Sequence, residues 1–460
     1  MNQLAHAHGH TGEASGWDGV MPPRRRFAAI VSLTMGTLLL MMDSSIANVG
    51  LPVIAHDLHV HASNAVLIVV TYNLVLAMTL MPFAALGTLI GLRRLFLTGL
   101  SVYLAGAVLS WFADSLVVLL CVRAFQALGA AAAMSVSSAL VRSTYPRHQL
   151  GRGLGFNTLA AAGGGAVAPV IGGMIVSYAS WHFVFMAGAP FALVALIAGR
   201  ALPDPDSVAH QFDKGGAVLC AATFGLLISG MRCLTGVTPA IPVALLCMGA
   251  VAGFLLVRHE LSQAHPVLPV DLFRRPALAL SVAAALCGYL ASTSIVIALP
   301  FRLHSAGFSP VEIGELIMPY ALAATFFAPA SGMLSDRISP TLLGTTGLGI
   351  ATFGLLLLVW LPAAPSHMDI ALPMALCGTG FGLFMSPNAR LIIGAVSSAR
   401  AASASSLIST TRMMGQAIGS TFVGALLTVG IWPAAPLTAT SLTVIAFGLS
   451  LARRWVMAPG

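Results

Sequence analysis

Charged side chains are scarce in this chain of 460 residues, since Asp, Glu, Lys and Arg together make up 8% of it. A soluble protein of this length needs a charged surface, yet 58% of the residues are hydrophobic and the mean hydropathy is +0.92. Apolar runs of about 20 residues, the length that crosses a bilayer, follow one another with short gaps. In lipid only helices and closed barrels satisfy their own backbone groups, and these runs are too long and too uniformly apolar for barrel strands. The composition therefore predicts an all-α integral membrane protein.

Features that would indicate other classes of protein are also missing. Lys214 is the single lysine, so arginine dominates the formal net charge of +8. In a chain this apolar, arginines are expected in cytoplasmic loops, and no nucleic-acid partner is expected. The six cysteines show no paired spacing for disulfides or metal ligands. The predicted helices hold no paired carboxylates and no metal-ligand spacing, and the chain has no Gly-x4-Gly-Lys-Ser/Thr phosphate loop. An enzyme, an ATP-driven pump, a cofactor and a bound metal are therefore not expected.

Fourteen apolar segments predict fourteen membrane-spanning helices. Arginines occupy every second loop and both ends, from Arg24 to Arg454, and only Arg232 and Arg302 fall on the opposite side. This asymmetry follows the positive-inside rule and predicts that both termini are cytoplasmic. The segments run over residues 27–47, 65–87, 95–113, 116–141, 153–178, 182–201, 215–233, 240–257, 278–301, 311–335, 340–361, 369–391, 402–430 and 434–453.

A weak internal repeat predicts how the helices are organised. Residues 84–91 end the second helix and residues 332–339 end the tenth, at similar distances into two halves of the chain. Such parallel halves place the binding site near the membrane midplane, between them. The expected units are a polar cytoplasmic tail at 1–26, an N-terminal six-helix half at 27–201, an inserted helix pair at 215–257 and a C-terminal six-helix half at 278–453. In the tail, a metal site at His6, His8 and His10 is conceivable, but a disordered tail is favoured.

Asp43 is the acidic residue that lies inside a predicted helix rather than at its edge. A lone carboxylate in hydrocarbon is costly, and such a group usually faces a cavity and has a functional role. Burial favours its protonated form, so it could exchange protons near neutral pH or pair with a cationic substrate. The structural alternative is a neutral acid hydrogen-bonded to Ser44, Ser45 or Asn48.

Two arginines also lie within predicted helices. Arg123 lies deep in the fourth helix with Gln126 on roughly the same face, and its permanent charge requires a partner or water. A polar role is favoured over a side chain that reaches back to the membrane surface. Arg412 lies among polar neighbours in the thirteenth helix, followed by Gln416. A functional role in a polar cavity and a structural role are equally compatible with that pattern.

The fifth helix has an unusual set of small residues and one proline. Small residues allow helices to approach closely, and proline removes one backbone hydrogen bond and bends the helix. The physics alone predicts a tightly packed, kinked helix between the halves. The pattern consists of Gly155, Gly164, Ala168, Pro169, Gly172 and Gly173.

These residues together resemble the major facilitator superfamily, and within it the fourteen-helix drug:proton antiporters of the QacA/EmrB type. The likeness extends from about Arg26 to Arg454. The antiporter motif of the fifth helix matches at every position except Ala168, which replaces a glycine. Within the superfamily this motif is associated with exporters. The resemblance implies two six-helix halves plus two inserted helices, and an expected monomer in the bacterial inner membrane.

Other segments share the likeness, and one departs from it. The run from Asp43 to Leu51-Pro52 resembles the first helix of these antiporters, and Trp181 to Phe185 resembles the aromatic start of the sixth. Arg123 and Gln126 resemble the fourth-helix motif, for which the family implies a proton-linked role. In the cytoplasmic loop after the second helix, Thr88 and Leu89 replace the usual Asp and Arg, and the gating residues that remain are Arg93, Arg94, Gly332, Asp336 and Arg337.

The leading prediction is therefore a proton-coupled exporter of amphipathic or cationic compounds, such as drugs and toxic organic molecules. Asp43 would load the proton, Arg123 would tune that acid, and the partners would be a small-molecule substrate, protons and lipid. A dedicated exporter of one metabolite, such as an amino acid, a sugar or a siderophore, is the alternative on the same fold. A metal or pH-sensing site at His56, Asp57, His59 and His61 is weaker than a solvated loop.

Overall fold

The computed structural model describes residues 21–145, 150–203, 213–234, 240–263, 270–362, 365–396 and 401–457. The described chain is all-α, which confirms the predicted fold class, and it contains no β-strand. The predicted tail residues His6, His8 and His10 lie outside the described residues. The α-helices are α1 (Pro23–Asp57), α2 (Ala62–Ala65), α3 (Leu67–Ile90), α4 (Leu92–Leu109), α5 (Leu116–Thr144), α6 (Leu150–Tyr178), α7 (His182–Met186), α8 (Ala189–Gly199), α9 (Lys214–Cys233), α10 (Ala240–Glu260), α11 (Pro276–Ser305), α12 (Pro310–Leu334), α13 (Pro340–Val359), α14 (His367–Gly394), α15 (Ala401–Val429) and α16 (Ala435–Met457).

Twelve helical segments of the described chain are long and apolar enough to cross a membrane. They make the protein an integral membrane protein. The helices α6 and α15, each of 29 residues, stand at the positions of the fifth and thirteenth predicted helices. The total of fourteen spans stays a prediction.

Two helices differ from the sequence-based bounds. Helix α1 continues past residue 47 to Asp57 and includes Pro52; proline costs one backbone hydrogen bond within a helix, so it bends a long helix without ending it. The predicted sixth helix is instead two helices, α7 and α8, separated by Ala187 and Gly188 just before Pro190.

The earlier and the later helices of the chain pack mostly among themselves. Helix α1 packs on α6 and α8, and α5 packs on α3 and α4; later in the chain α14 packs on α12 and α13, and α11 packs on α15 and α16. The most extensive contacts between the earlier and later helices are α6 with α12 and α3 with α15, and α1 also packs on α11. The division into halves at 27–201 and 278–453 remains a prediction.

The helices of the predicted inserted pair, α9 and α10, pack on each other, and α9 also packs on α3 and α15. At one end of the pair, Asp213 accepts a hydrogen bond from the Gly216 backbone N–H at 2.8 Å, which caps α9. His259 at the end of α10 lies 2.8 Å from the same carboxylate oxygen. Burial of Asp213 raises its pKa, but the hydrogen bonds from Gly216 and His259 lower it by more, so the net pKa lies below the usual value.

Replacing Asp213 with Ala is expected to lower the free energy of unfolding by about 1 kcal/mol, the usual value of a helix N-cap. A lowered pKa stabilises the folded state above the pKa of the unfolded chain, about 3.9, and that stabilisation is lost as the pH falls through the folded value. The difference between variant and wild type is therefore full at pH 7 and shrinks below about pH 4. Chemical unfolding in detergent at several pH values measures it. Asp213→Asn keeps a capping oxygen and is the control; an equal loss in both variants would contradict the capping role.

Candidate functional site

Asp43 and Arg123 form a buried ion pair between α1 and α5. The Arg123 Nη1 group donates to Asp43 Oδ1 at 3.1 Å and to Oδ2 at 3.3 Å. Both side chains are almost fully buried, with exposed fractions of 2% for Asp43 and 1% for Arg123. Sequence reasoning selected both residues separately, and the structure brings them together. Each charge is the counter-ion of the other, so neither is left alone in the membrane interior.

Aromatic and amide groups complete this cluster. The Tyr103 hydroxyl of α4 donates to Asp43 Oδ1 at 3.0 Å, and Arg123 Nη1 donates to Gln126 Oε1 at 2.6 Å. Gln126 in turn donates to the backbone carbonyl of Phe185 at 3.1 Å. The Arg123 guanidinium lies 4.2 Å from the centroid of the Tyr72 ring, a cation–π contact. Five helices, α1, α3, α4, α5 and α7, therefore meet at one carboxylate and its arginine.

The chemistry of this pair follows from its burial. Removing two charges from water costs nearly as much as their attraction returns, so such a pair contributes little net stability. Protonation of Asp43 would remove the attraction and leave the Arg123 charge uncompensated. A proton on Asp43 therefore changes the energy of the packing between α1 and α5. The arrangement can convert protonation into a shift between helices.

A cavity of about 760 Å³ lies between the two groups of helices. Its apolar wall includes Met41, Val296, Ile317, Phe381 and Met385. It is large enough for a drug-sized molecule, since ligand pockets measure about 300–1,000 Å³. Its polar lining consists of Ser45, Asn48, Asn73, Tyr289, Ser292, Thr293, Tyr320, Thr325 and Gln416.

Asp43 does not line this cavity. Met41, Ser45 and Asn48 of α1 line it, and their spacing of four and three residues places them on one face of the helix. Asp43 is two residues from Met41 and lies on the opposite face, where it meets Arg123. The carboxylate and the cavity are thus separated by the thickness of α1. Direct contact between a substrate in this cavity and Asp43 would require α1 to rotate.

The small residues of α6 explain its close packing. A Cβ atom on Gly164 would lie 2.7 Å from the Leu38 carbonyl oxygen, and one on Gly172 would lie 2.6 Å from the Ile46 carbonyl oxygen, both on α1. Gly173 faces Pro310 of α12. Pro169 and Ala168 are buried, and the Pro169 carbonyl lies 2.5 Å from where a Cβ on Gly314 would be. Helix α6 therefore touches α1 on one side and α12 on the other with backbone contacts that larger residues would block.

Gly155 lies near the start of α6, in a part of the helix where only the backbone is described. The remaining motif positions, from Gly164 to Gly173, hold the contacts with α1 and α12. The predicted seam between the halves accordingly lies along the later part of α6, which ends at Tyr178.

The predicted gating residues divide into two groups. Arg93 donates to the Arg200 carbonyl at 2.7 Å, and Arg94 beside it is exposed. Asp336 forms an ion pair of 2.6 Å with Arg390 of α14. This pair links the segment after α12 to α14. Thr88, where a carboxylate was expected, donates within its own helix to Ala85.

The other residues of the second gating segment show no comparable link among the contacts of the described chain. Gly332 lies in the last turn of α12, where a Cβ atom would be 3.0 Å from the Ser386 hydroxyl, and Arg337 is exposed. A role of these positions in gating stays a prediction.

Replacing Asp336 with Asn is expected to lower transport more than stability. The two partners are 68% and 50% exposed, and such surface pairs contribute less than about 1 kcal/mol. Thermal unfolding should therefore change little, whereas the loop loses its tie to α14. Uptake into proteoliposomes and the unfolding temperature are measured on the same preparation, with Arg390→Lys as the charge-conserving control. Unchanged transport in Asp336→Asn would exclude a gating role for the pair.

Arg412 and Gln416 lie one turn apart on α15, and only Gln416 lines the cavity. Residues four apart share one helix face, so Arg412 lies beside the cavity wall. The Arg412 Nε atom is buried and makes no hydrogen bond within the described chain.

Three residues of functional interest were missed by sequence reasoning. Tyr72 and Tyr103 contact the ion pair, but an aromatic residue in a membrane helix gives no signal until its neighbours are known. Arg453 was interpreted only as a topology marker, yet it is 1% exposed and donates to Ser281 at 2.9 Å and to Asn388 at 2.8 Å. Arg453 therefore links α16 to α11 and α14, and this gives it a structural role in addition to its place among the terminal arginines.

The histidine-rich loop after α1 does not assemble a metal site. Among the described residues no group of three or more metal-ligating side chains comes together. Asp57 accepts a hydrogen bond of 2.5 Å from the Trp181 indole, and His56 packs near His59. Asp57, the last residue of α1, therefore links this helix to Trp181 at the start of α7.

A bundle of membrane helices around a cavity of this size, with a buried ion pair beside it, defines a membrane transporter. The family model described as Major Facilitator Superfamily matches residues 33–420, and the chain belongs to this superfamily. It is similar to YebQ of Escherichia coli K12, named an uncharacterized transporter, at 39% identity over 412 residues, which cover 88% of this chain and 90% of that protein. It is also 28% identical to the multidrug resistance protein Stp of Mycobacterium tuberculosis, over 88% of this chain and 76% of that one.

The fold itself is shared with solved transporters. A POT family transporter crystallised with 5-aminolevulinic acid superimposes with a TM-score of 0.71 at 16% identity, covering 96% of this chain and 98% of that chain. At this identity the likeness extends to the fold alone.

Proposed function

We propose that the protein is a proton-coupled antiporter that exports small amphipathic compounds, drugs and toxic organic molecules among them. The observation that supports this most is the buried Asp43–Arg123 pair, which lies behind the helix face that lines the cavity. The similarity to proteins named for multidrug resistance supports the choice of substrates.

Coupling would act through α1. When Asp43 is ionised, Arg123 and Tyr103 hold it towards α5 and α4. When Asp43 takes a proton, its attraction to Arg123 is lost, and α1 is free to shift. The opposite face of the same helix presents Ser45 and Asn48 to the cavity. A substrate there and a proton on Asp43 would therefore favour different positions of α1, which is the requirement for exchange.

The cavity supports loose selection of substrates. Its wall combines flexible methionines, Met41 and Met385, with the rings of Tyr320 and Phe381, whose centroids lie 6.3 Å apart. Methionine adapts its shape to different partners, and promiscuous binders use such surfaces. The dedicated exporter of one metabolite shares this fold, and a panel of unrelated compounds separates the two functions.

The proposal places the protein in the bacterial cytoplasmic membrane with both termini inside, as a monomer. Arg25, at the start of α1, donates to the Ala201 carbonyl just after α8, so these two helix ends lie at one side of the bundle. The arginine excess of that side supports the orientation.

The test uses purified protein in liposomes with an imposed pH gradient. An internal pH dye reports proton flux, and a fluorescent substrate from a panel of drugs reports transport in the same vesicles. We expect substrate movement in one direction to drive protons in the other, and a protonophore to remove the substrate gradient. Substrate movement that leaves the internal pH unchanged and ignores the protonophore would contradict antiport. Vesicles without protein are the control for leak.

A further inference from the structure

The cavity contains polar groups but no fixed charge. Among the described residues that line it there is no Asp, Glu, Lys, Arg or His. Asp43 on α1 faces Arg123 instead. A cationic substrate would lose its hydration on entering this cavity and would meet no carboxylate as a counter-ion. Burying such an unpaired charge is costly.

Two buried polar atoms near the cavity lack a hydrogen-bond partner within the described chain. One is the Asn48 Oδ1 atom, an acceptor on the cavity wall. The other is the Arg412 Nε atom, a donor one turn from Gln416. Buried polar groups are normally hydrogen-bonded, so unsatisfied ones at a cavity indicate where a ligand or water completes the set.

Arg412 also lacks a counter-ion. No carboxylate of the described chain pairs with it. In this respect Arg412 differs from Arg123, whose charge is balanced by Asp43. Arg412, one turn from the lining residue Gln416, is thus available to an anion from solution.

We infer that the substrate is an aromatic amphipath with an anionic group, such as a carboxylate, which Arg412 recognises. The aromatic body would pack between Tyr320, Phe381 and Met385, and a donor group would reach Asn48. This assignment rests on the proposed export function and narrows its substrate class. The sequence-based prediction named amphipathic or cationic compounds, and the pairing of a cation with Asp43 depended on that carboxylate facing the cavity.

The test compares three probes that share one fluorophore and differ in charge. Dansylglycine is anionic, and dansylglycinamide is neutral. The dansyl sulfonamide of (2-aminoethyl)trimethylammonium is cationic. Dansyl fluorescence rises in apolar surroundings, so titration of the purified protein in nanodiscs gives three dissociation constants without any proton gradient. We expect the anion to bind at least about tenfold more tightly than the cation, in line with a charge-assisted hydrogen bond. The neutral probe should lie between them.

Variants assign the preference to one side chain. Arg412→Gln should weaken the binding of dansylglycine about tenfold and leave the dissociation constant of dansylglycinamide nearly unchanged. Arg412→Lys should keep the order of affinity of the three probes. Arg258→Gln removes the same charge from an exposed site on α10 and should change none of them. Because Arg258 is distant in the chain and solvent-facing, it controls for net charge and folding.

The inference is overturned if the cation binds as tightly as the anion, if none of the three probes binds, or if Arg412→Gln weakens the neutral and anionic probes equally. These outcomes are separate from the antiport test, since binding in nanodiscs involves no proton gradient. Preferred binding of the anion with no coupled proton flux would support the substrate class and reject antiport.

Discussion

Replacing Asp43 with Asn is expected to reduce proton-driven transport by about 100-fold or more, the range seen when a proton-transferring group is removed. The asparagine cannot take up a proton, so the pair with Arg123 no longer responds to pH. Exchange of labelled for unlabelled substrate across the membrane needs no net proton movement and should persist. Both fluxes are measured in the same vesicles, with and without a pH gradient.

The same substitution also leaves the Arg123 charge buried without a counter-ion. Removing one partner of a buried pair costs about 3–5 kcal/mol, so a loss of folded protein must be separated from a loss of coupling. The double variant Asp43→Asn with Arg123→Gln removes both charges and should recover most of the stability while remaining uncoupled. Tyr103→Phe removes one hydrogen bond to Asp43 and keeps the carboxylate, so it should remain coupled. Proton-driven transport in the stable double variant would contradict the role of Asp43.

Replacing Gly173 with Ala is expected to reduce transport by about fivefold or more by separating α6 from α12. A Cβ atom at this position would collide with the Pro310 carbonyl, and overpacking of this kind costs about 1–3 kcal/mol. Such an energy changes a two-state equilibrium by roughly 5- to 150-fold. The conformation with these helix ends in contact should become rare. Spin labels at the exposed positions Tyr178 of α6 and Glu315 of α12, on a cysteine-free background, should report a longer distance.

The matched control lies on the same helix. Gly163 has no atom within 4 Å of its Cβ position, so Gly163→Ala adds the same methyl group without a collision. It should transport like wild type and show the original label distance. Equal effects of the two substitutions would mean that α6 responds to helix propensity and not to contact with α12.

Much of the fold could be predicted because length and apolar composition identify membrane helices in a sequence. Fourteen segments were expected, and the described helices follow the same order along the chain, with twelve helical segments confirmed as candidate spans. The predicted end of the first helix was too early, because α1 tolerates Pro52 and continues past it. The break between α7 and α8 also gave no signal, because the residues on both sides are apolar.

The site could be predicted only one residue at a time. Asp43 and Arg123 were recognisable because charges in hydrocarbon are costly, but their pairing depends on how α1 and α5 pack. Which face of α1 points to the cavity was also hidden, since α1 is largely apolar around its whole circumference. That missing information is why Asp43 was expected in the cavity and lies behind it. Tyr103, a tyrosine on a neighbouring helix, could be assigned only from the structure.

The most direct test of the central claim is the proton balance of substrate binding to purified protein in weakly buffered detergent solution. An excess of a transported drug is added to wild type and to the Asp43→Asn/Arg123→Gln variant, and a pH dye follows protons released. Proton release should saturate together with drug binding in the wild type and be absent in the variant. Equal release from both proteins would show that the exchanged proton resides elsewhere and would contradict the role of Asp43.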